Sequence, residues 1–119
     1  MNKPHSPDGG ATFELGAIDQ QLRDSDAYQA NGHTARTLVR VSDLRLVLVT
    51  MRAESHIAAH RAAETASVHV LSGRLRLELP ERRVDLRAGQ VLVMAEGLEH
   101  SVEASEDSAF LLTLGWSGS

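Results

Sequence analysis

From Thr34 to Trp116 apolar residues recur with a period of two, and turn-forming residues interrupt the pattern at short intervals. Alternation of this kind belongs to strands with one buried face, because successive side chains on a strand point to opposite sides. Residues 74–79, Arg-Leu-Arg-Leu-Glu-Leu, alternate strictly, with Leu75, Leu77 and Leu79 inward, and Pro80 ends the run. Val84 and Leu86 repeat the alternation up to an Ala88-Gly89 turn. Residues 91–95 follow, then Gly97, a strand over 100–104, a polar turn at 105–108 and a last apolar strand over 109–116. Upstream, Thr37 and Val39 alternate with Leu38 and Arg40. Residues 44–51 form a long strand, apolar on both faces towards its end, which predicts cover on both sides. A loop at 54–59 leads to a short strand around His60, and residues 66–71 make another, closed by a Ser72-Gly73 turn. Eight to nine short strands spaced by turns predict an all-β sandwich or barrel.

The N-terminal part reads differently. Residues 1–12 carry two prolines, two glycines and mostly polar side chains, which predicts disorder. Phe13, Leu15, Ile18 and Leu22 then recur at helical spacing, and Asp19 lies among them. They predict a short amphipathic helix over 16–23 that lies against the sheet. Residues 24–32 read as a polar loop, and residues 117–119 as a frayed tail. A single domain over 13–119 is expected.

The 119-residue chain contains no cysteine, which excludes disulfides, thiolate metal sites and a cysteine nucleophile. Aromatic residues make up 3% of the chain, so Leu, Val and Ala must build the core. A net charge of −4, with arginines spread along the chain, gives no electrostatic surface for nucleic acid. Arg74, Arg76, Arg82, Arg83 and Arg87 are interleaved with Glu78, Glu81 and Asp85, the pattern of a solvated strand face. No apolar run reaches membrane-spanning length, and the first residues lack the apolar segment of a secretory signal. A cytoplasmic location without membrane contact is expected.

The glycines and histidines carry the sharpest signal. Gly89, Ala95, Gly97 and His100 have the spacing of G-x5-P-x-G-x2-H, with Ala95 in place of the proline. This resembles the second motif of the cupin superfamily. Upstream, Val70-Leu71-Ser72-Gly73 is similar to the closing turn of the first cupin motif, and His60 falls on that motif's first histidine. The resemblance covers residues 44–116. It implies a small single-domain cupin of the type 2 kind, a double-stranded jelly-roll barrel with a short N-terminal α-helix. Many cupins hold a divalent metal in the barrel mouth through three histidines and a glutamate. Here the first motif is degenerate: the resemblance puts the second histidine at Ala62, the glutamate at Ala66 and the opening glycine at Glu54. His60 and His100 remain as metal candidates, with Glu64, in the turn just before Ala66, as a carboxylate that could be recruited. His56 lies too far along an extended chain to share an ion with His60, and alternation turns His69 to the face opposite Ala66. His5 and His33 lie in polar segments and carry no signal.

Three functions follow. The first is a binding or sensing module with a reduced metal site, holding a small molecule in a barrel lined by Leu, Val and Met94. The second is a metal-dependent dioxygenase or isomerase using His60, His100 and a recruited third ligand, with one divalent ion (Zn, Ni, Mn or Fe) as its cofactor. The third is a structural or regulatory partner protein. A homodimer is expected, because small cupins commonly pair and the 44–51 strand is apolar on both faces.

Overall fold

The computed structural model describes residues 6–115. Two short helices, α1 (Leu15–Arg23) and α2 (Asp26–Asn31), precede nine strands. These are β1 (His33–Arg40), β2 (Leu44–Met51), β3 (His56–Arg61), β4 (Ala66–Ser72), β5 (Arg74–Glu78), β6 (Arg83–Arg87), β7 (Val91–Met94), β8 (Glu99–Ala104) and β9 (Ser108–Gly115). They form a five-stranded sheet in the order β1-β2-β9-β4-β7 and a four-stranded sheet in the order β3-β8-β5-β6. Strands far apart in sequence are neighbours, as in β2 with β9 and β3 with β8, and these pairs are antiparallel. This is the all-β architecture that the alternation predicts, with the jelly-roll topology that the resemblance implies. Of the terminal expectations, residues 1–5, Trp116 and the 117–119 tail lie outside the described residues. Within 6–12, the Gly10 N–H donates to the Pro7 carbonyl across a turn at 2.9 Å.

The main core lies between the two sheets. Val47, Val49, Val68 and Phe110 come from one sheet, and Leu75, Leu77 and Val102 from the other. The strictly alternating β5 buries Leu75 and Leu77 completely. Its neighbour β6 pairs with it in register, and the charges read as a solvated face form two exposed ion pairs: Arg83–Glu78 at 2.6 Å and Arg76–Asp85 at 3.5 Å. A second cluster packs Leu22 and Ile18 of α1 with Leu38 of β1 and Leu46 and Leu48 of β2. Residues 46 and 48 alternate with Val47 and Val49 of the main core, so α1 covers the opposite face of β2. That accounts for a strand apolar on both faces.

Polar contacts fix the helix in place. Thr50 is fully buried, and its hydroxyl donates to Asp19 Oδ1 at 2.7 Å. The other Asp19 oxygen accepts from Arg23 Nε at 3.1 Å, and Arg23 reaches Asp107 at 3.8 Å. Asp107 in turn accepts the Ala53 N–H at 2.8 Å.

Two expectations are corrected. Residues 24–32 are not a simple loop: six of them form α2. Ser25 caps the helix by accepting the Tyr28 N–H at 3.2 Å, Tyr28 is buried, and Gly32 ends it in the left-handed conformation, with its N–H on the Tyr28 carbonyl at 2.8 Å. Capping and one buried aromatic make a helix too short to show a period. Likewise β3 begins at His56, not near His60, because residues 56 and 57 already pair with Glu103 and Val102 of β8. Most of that strand is exposed, so hydrophobic alternation could not mark it.

The Ser72-Gly73 turn is as expected, and its glycine is required. Gly73 has φ +81, and a Cβ there would collide with the Asp107 carbonyl and the Ser108 hydroxyl. The β4–β5 turn is therefore pressed against the β8–β9 turn.

The Thr50 contact gives the first prediction. Thr50→Val keeps the shape but leaves Asp19 without that donor, and should cost about 1–2 kcal/mol. Thermal unfolding should show a midpoint lowered by roughly 5 °C. An unchanged midpoint would mean that the apolar face of α1 alone holds the helix.

Candidate functional site

Strands β3 and β8 lie side by side, with His60 opposite His100. On β3 three positions separate Ile57 from His60, while two separate their partners Val102 and His100. The extra residue is a bulge, which turns both Ile57 and His60 towards the interior, where an even alternation would have sent them to opposite faces. Glu99 and His100 follow the Gly97 turn. There the Gly97 N–H donates to the Ala62 carbonyl at 2.7 Å and the Ala62 N–H to the Leu98 carbonyl at 3.2 Å. These bonds join the segment that follows β3 to the turn that precedes β8.

The two imidazoles form a pair, with centroids 4.3 Å apart and planes tilted by 59°. His100 is buried and His60 exposed. His60 Nδ1 lies 3.0 Å from the Ala58 carbonyl, and His100 Nδ1 lies 3.1 Å from the Leu98 carbonyl. A carbonyl only accepts, so each Nδ1 carries the proton, and in the neutral ring Nε2 holds the lone pair. Burial pushes the His100 imidazole below the ordinary histidine value of 6.5. The Leu98 carbonyl opposes that shift by favouring the protonated ring, and the neighbouring His60 adds to it.

The facing wall comes from the larger sheet. Arg45, Leu114, Ala66 and Met94 form one lateral row across β2, β9, β4 and β7. Together with the histidine pair, Phe110 and Val102, this row borders a cavity of about 320 Å³. Ala62 and Ala66, where the resemblance puts a histidine and a glutamate, are both buried and both line this cavity. Both positions therefore present a methyl group to the cavity. Glu54, at the position of the opening glycine, has φ +70, a conformation that favours glycine, and its N–H donates to the Ala104 carbonyl at 2.7 Å.

Of the residues singled out in the sequence, His60, His100 and Glu64 line the cavity, and so does Met94. His56 is exposed beside Glu103 on β8. His69 pairs with Leu111 and Val91 and lies on the face away from Ala66 and Val68. Among the described residues no group of three His, Asp or Glu side chains comes together, so Glu64 shares the cavity without joining the imidazoles. Two imidazole nitrogens are fewer than the three or four protein ligands of zinc sites, so the donor set does not fit an ion held by these side chains alone. Two charged cavity residues escaped the sequence reading, Arg45 and Arg61. The signal for Arg45 was its parity with Val47 and Val49, which places a charge on the inward face of β2. Arg61 donates from Nη1 to the Gly97 carbonyl at 3.1 Å.

Comparison with known proteins finds a match to the cupin domain family over residues 47–114. No curated protein matches the chain. Among solved structures, a conserved protein of unknown function from Streptococcus pyogenes is 23% identical, with a TM-score of 0.75 over 100% of this chain and 95% of that one. A cupin-2 domain containing protein from Shewanella frigidimarina is 19% identical, with a TM-score of 0.69 over 87% of this chain and 94% of that one. A mutant salicylate 1,2-dioxygenase from Pseudoaminobacter salicylatoxidans is 20% identical, with a TM-score of 0.77 over 97% of this chain but 37% of that one.

The histidine pair yields a prediction for NMR. The His100 ring should titrate below 6.5, and in His60→Ala its midpoint should move upward. A wild-type midpoint at or above 6.5 would contradict the burial described here. The sign for stability follows. The unfolded chain takes up the proton first, so the stability gained by keeping this ring neutral is full above pH 6.5 and is lost as pH falls towards the folded-state midpoint.

Proposed function

This chain belongs to the cupin domain family, and on that premise we propose that it binds a small organic molecule inside its barrel. The observation that carries the reading is the pair of buried alanines, Ala62 and Ala66, on the cavity wall. A methyl group offers no lone pair and occupies little space, so these positions contribute room instead of metal donors. The cavity volume of about 320 Å³ lies at the small end of ligand sites, which span roughly 300–1,000 Å³. Apolar walls with two convergent imidazoles suit an apolar body that needs one or two fixed hydrogen bonds. In the neutral state each Nε2 accepts a bond from the ligand, and each Nδ1–H holds its ring in place through a backbone carbonyl.

One observation favours a second reading, a metal-dependent dioxygenase or isomerase using His60, His100 and Glu64. An Nδ1–H bonded to a carbonyl is the arrangement that fixes an imidazole for ligation through Nε2. A similar fold occurs in a salicylate 1,2-dioxygenase. That reading requires a third donor to reach the pair, and the two alanines are where the family pattern would supply it.

Toluene is a suitable neutral probe of the cavity, since dry apolar cavities take up small aromatic molecules. In two-dimensional amide NMR, toluene should produce saturable shifts at Ala62, Ala66, Val68 and His100. Ala66→Leu, which fills part of the space, should weaken them. No saturable shift at these residues would overturn the binding reading.

A further inference from the structure

The outward face of the β5–β6 hairpin carries three cross-strand rungs of charge: Arg76 opposite Asp85, Glu78 opposite Arg83, and Arg74 opposite Arg87. The first two are complementary and form ion pairs at 3.5 and 2.6 Å. The third sets two cations against each other. Residues directly opposite on antiparallel strands have Cβ atoms about 4.5–5.5 Å apart, and like charges placed so destabilise the pairing. Among the described residues neither guanidinium has a hydrogen-bond or ion-pair partner.

This mismatched rung borders a recess of about 530 Å³, which Gly73, Ala88, Gln90 and Glu106 also line. The β4–β5, β6–β7 and β8–β9 turns meet there. Gly73 follows the end of β4, whereas the cavity residue Ala66 begins it, so recess and cavity lie at opposite ends of that strand. Both arginine backbones are fixed. The Arg74 N–H donates to the buried Ser108 hydroxyl at 2.9 Å, and its carbonyl accepts the Ser105 N–H at 2.9 Å. The Arg87 N–H donates to Gln90 Oε1 at 2.8 Å, and the Gln90 N–H donates to the Arg87 carbonyl at 2.9 Å. With its oxygen committed, the Gln90 side chain offers the recess its N–H donors. Glu106 is the one carboxylate on the lining and is ion-paired with neither arginine, so cations outnumber anions there two to one.

A like-charge rung beside two ion pairs is a local conflict, and folded chains keep such conflicts at functional sites. A doubly charged anion between the two guanidinium groups would remove it. Their planar forks match the oxygens of a phosphate group, which offers acceptors on several sides and a charge that offsets both cations.

We propose that this recess binds a phosphate group, held between Arg74 and Arg87 with Gln90 Nε2 as a further donor. The site is separate from the barrel cavity and does not rest on the small-molecule reading above. It concerns binding alone and involves no reaction step.

The test is an amide NMR titration of the full chain at about pH 8, where a phosphate group carries nearly two charges. Inorganic phosphate, glycerol 3-phosphate and acetate are compared at constant ionic strength. Phosphate should give saturable shifts at Gly73, Arg74, Arg87 and Ala88 and leave Ala62 and His100 unmoved. Acetate should bind about tenfold or more weakly, the scale of one lost charge-assisted contact. Tighter binding of glycerol 3-phosphate than of phosphate would assign the site to a phosphate monoester, and the reverse to the free ion. Arg87→Gln, at an exposed position, should weaken phosphate about tenfold. Arg87→Glu would complete a third ion pair with Arg74. It should abolish the phosphate response and, in phosphate-free buffer, raise the thermal midpoint above that of the wild type. No saturable shift at the recess with either phosphate compound would overturn the proposal. So would equal binding of phosphate and acetate, or an unchanged phosphate response in Arg87→Glu.

Discussion

Strand β9 holds the larger sheet together. β9 is inserted between β2 and β4, pairing with β2 along its whole length and with β4 over most of its own. Without it, β1-β2 and β4-β7 would be two separate ribbons, each too small to be stable alone. The same strand supplies Phe110, Leu112 and Leu114 to the cavity. The wall of the site is thus completed by β9, and it depends on ladder pairing between residues 37 or more positions apart. The collision that any side chain at Gly73 would have with the β8–β9 turn belongs to the same constraint, since that turn launches β9.

The smaller sheet contributes chemistry where the larger contributes shape. The bulge in β3 and the hydrogen bonds between Ala62 and the Gly97–Leu98 turn bring two imidazoles into contact at the barrel mouth. Across from them the wall carries Arg45 and the methyl of Ala66. The same architecture can serve a metal or an organic ligand, and the choice lies in a few side chains at fixed backbone positions. Here those side chains leave a cavity with two imidazoles, two guanidinium groups and no cluster of three donors among the described residues.

The strands were legible in the sequence because alternation is a property of each strand by itself. Leu75 and Leu77 are buried as their alternation requires, and Gly73 sits in a turn that only glycine fits. His60 and His100 were legible through spacing, and the structure places them side by side. Other features were hidden for definite reasons. The helix α2 rests on caps and on Tyr28, and neither produces a period. The start of β3 is exposed and bulged, so both of the signals that mark strands fail there. Parity along β2 gives the face of Arg45, but which residues it meets across the cavity depends on the long-range pairing of the sheets. For the same reason, the cover that α1 gives to the second apolar face of β2 could not be read from the strand alone.

The central claim is that Ala62 and Ala66 convert a metal position into an organic pocket, and zinc retention tests it most directly. Untagged wild-type protein and the double variant Ala62→His, Ala66→Glu would be loaded with Zn²⁺, passed through gel filtration and assayed for metal. With three imidazoles and a carboxylate the double variant meets the usual ligand count, so it should retain about one equivalent, and the wild type should retain almost none. A wild-type chain that keeps one equivalent, and loses it on His100→Ala, would contradict the account.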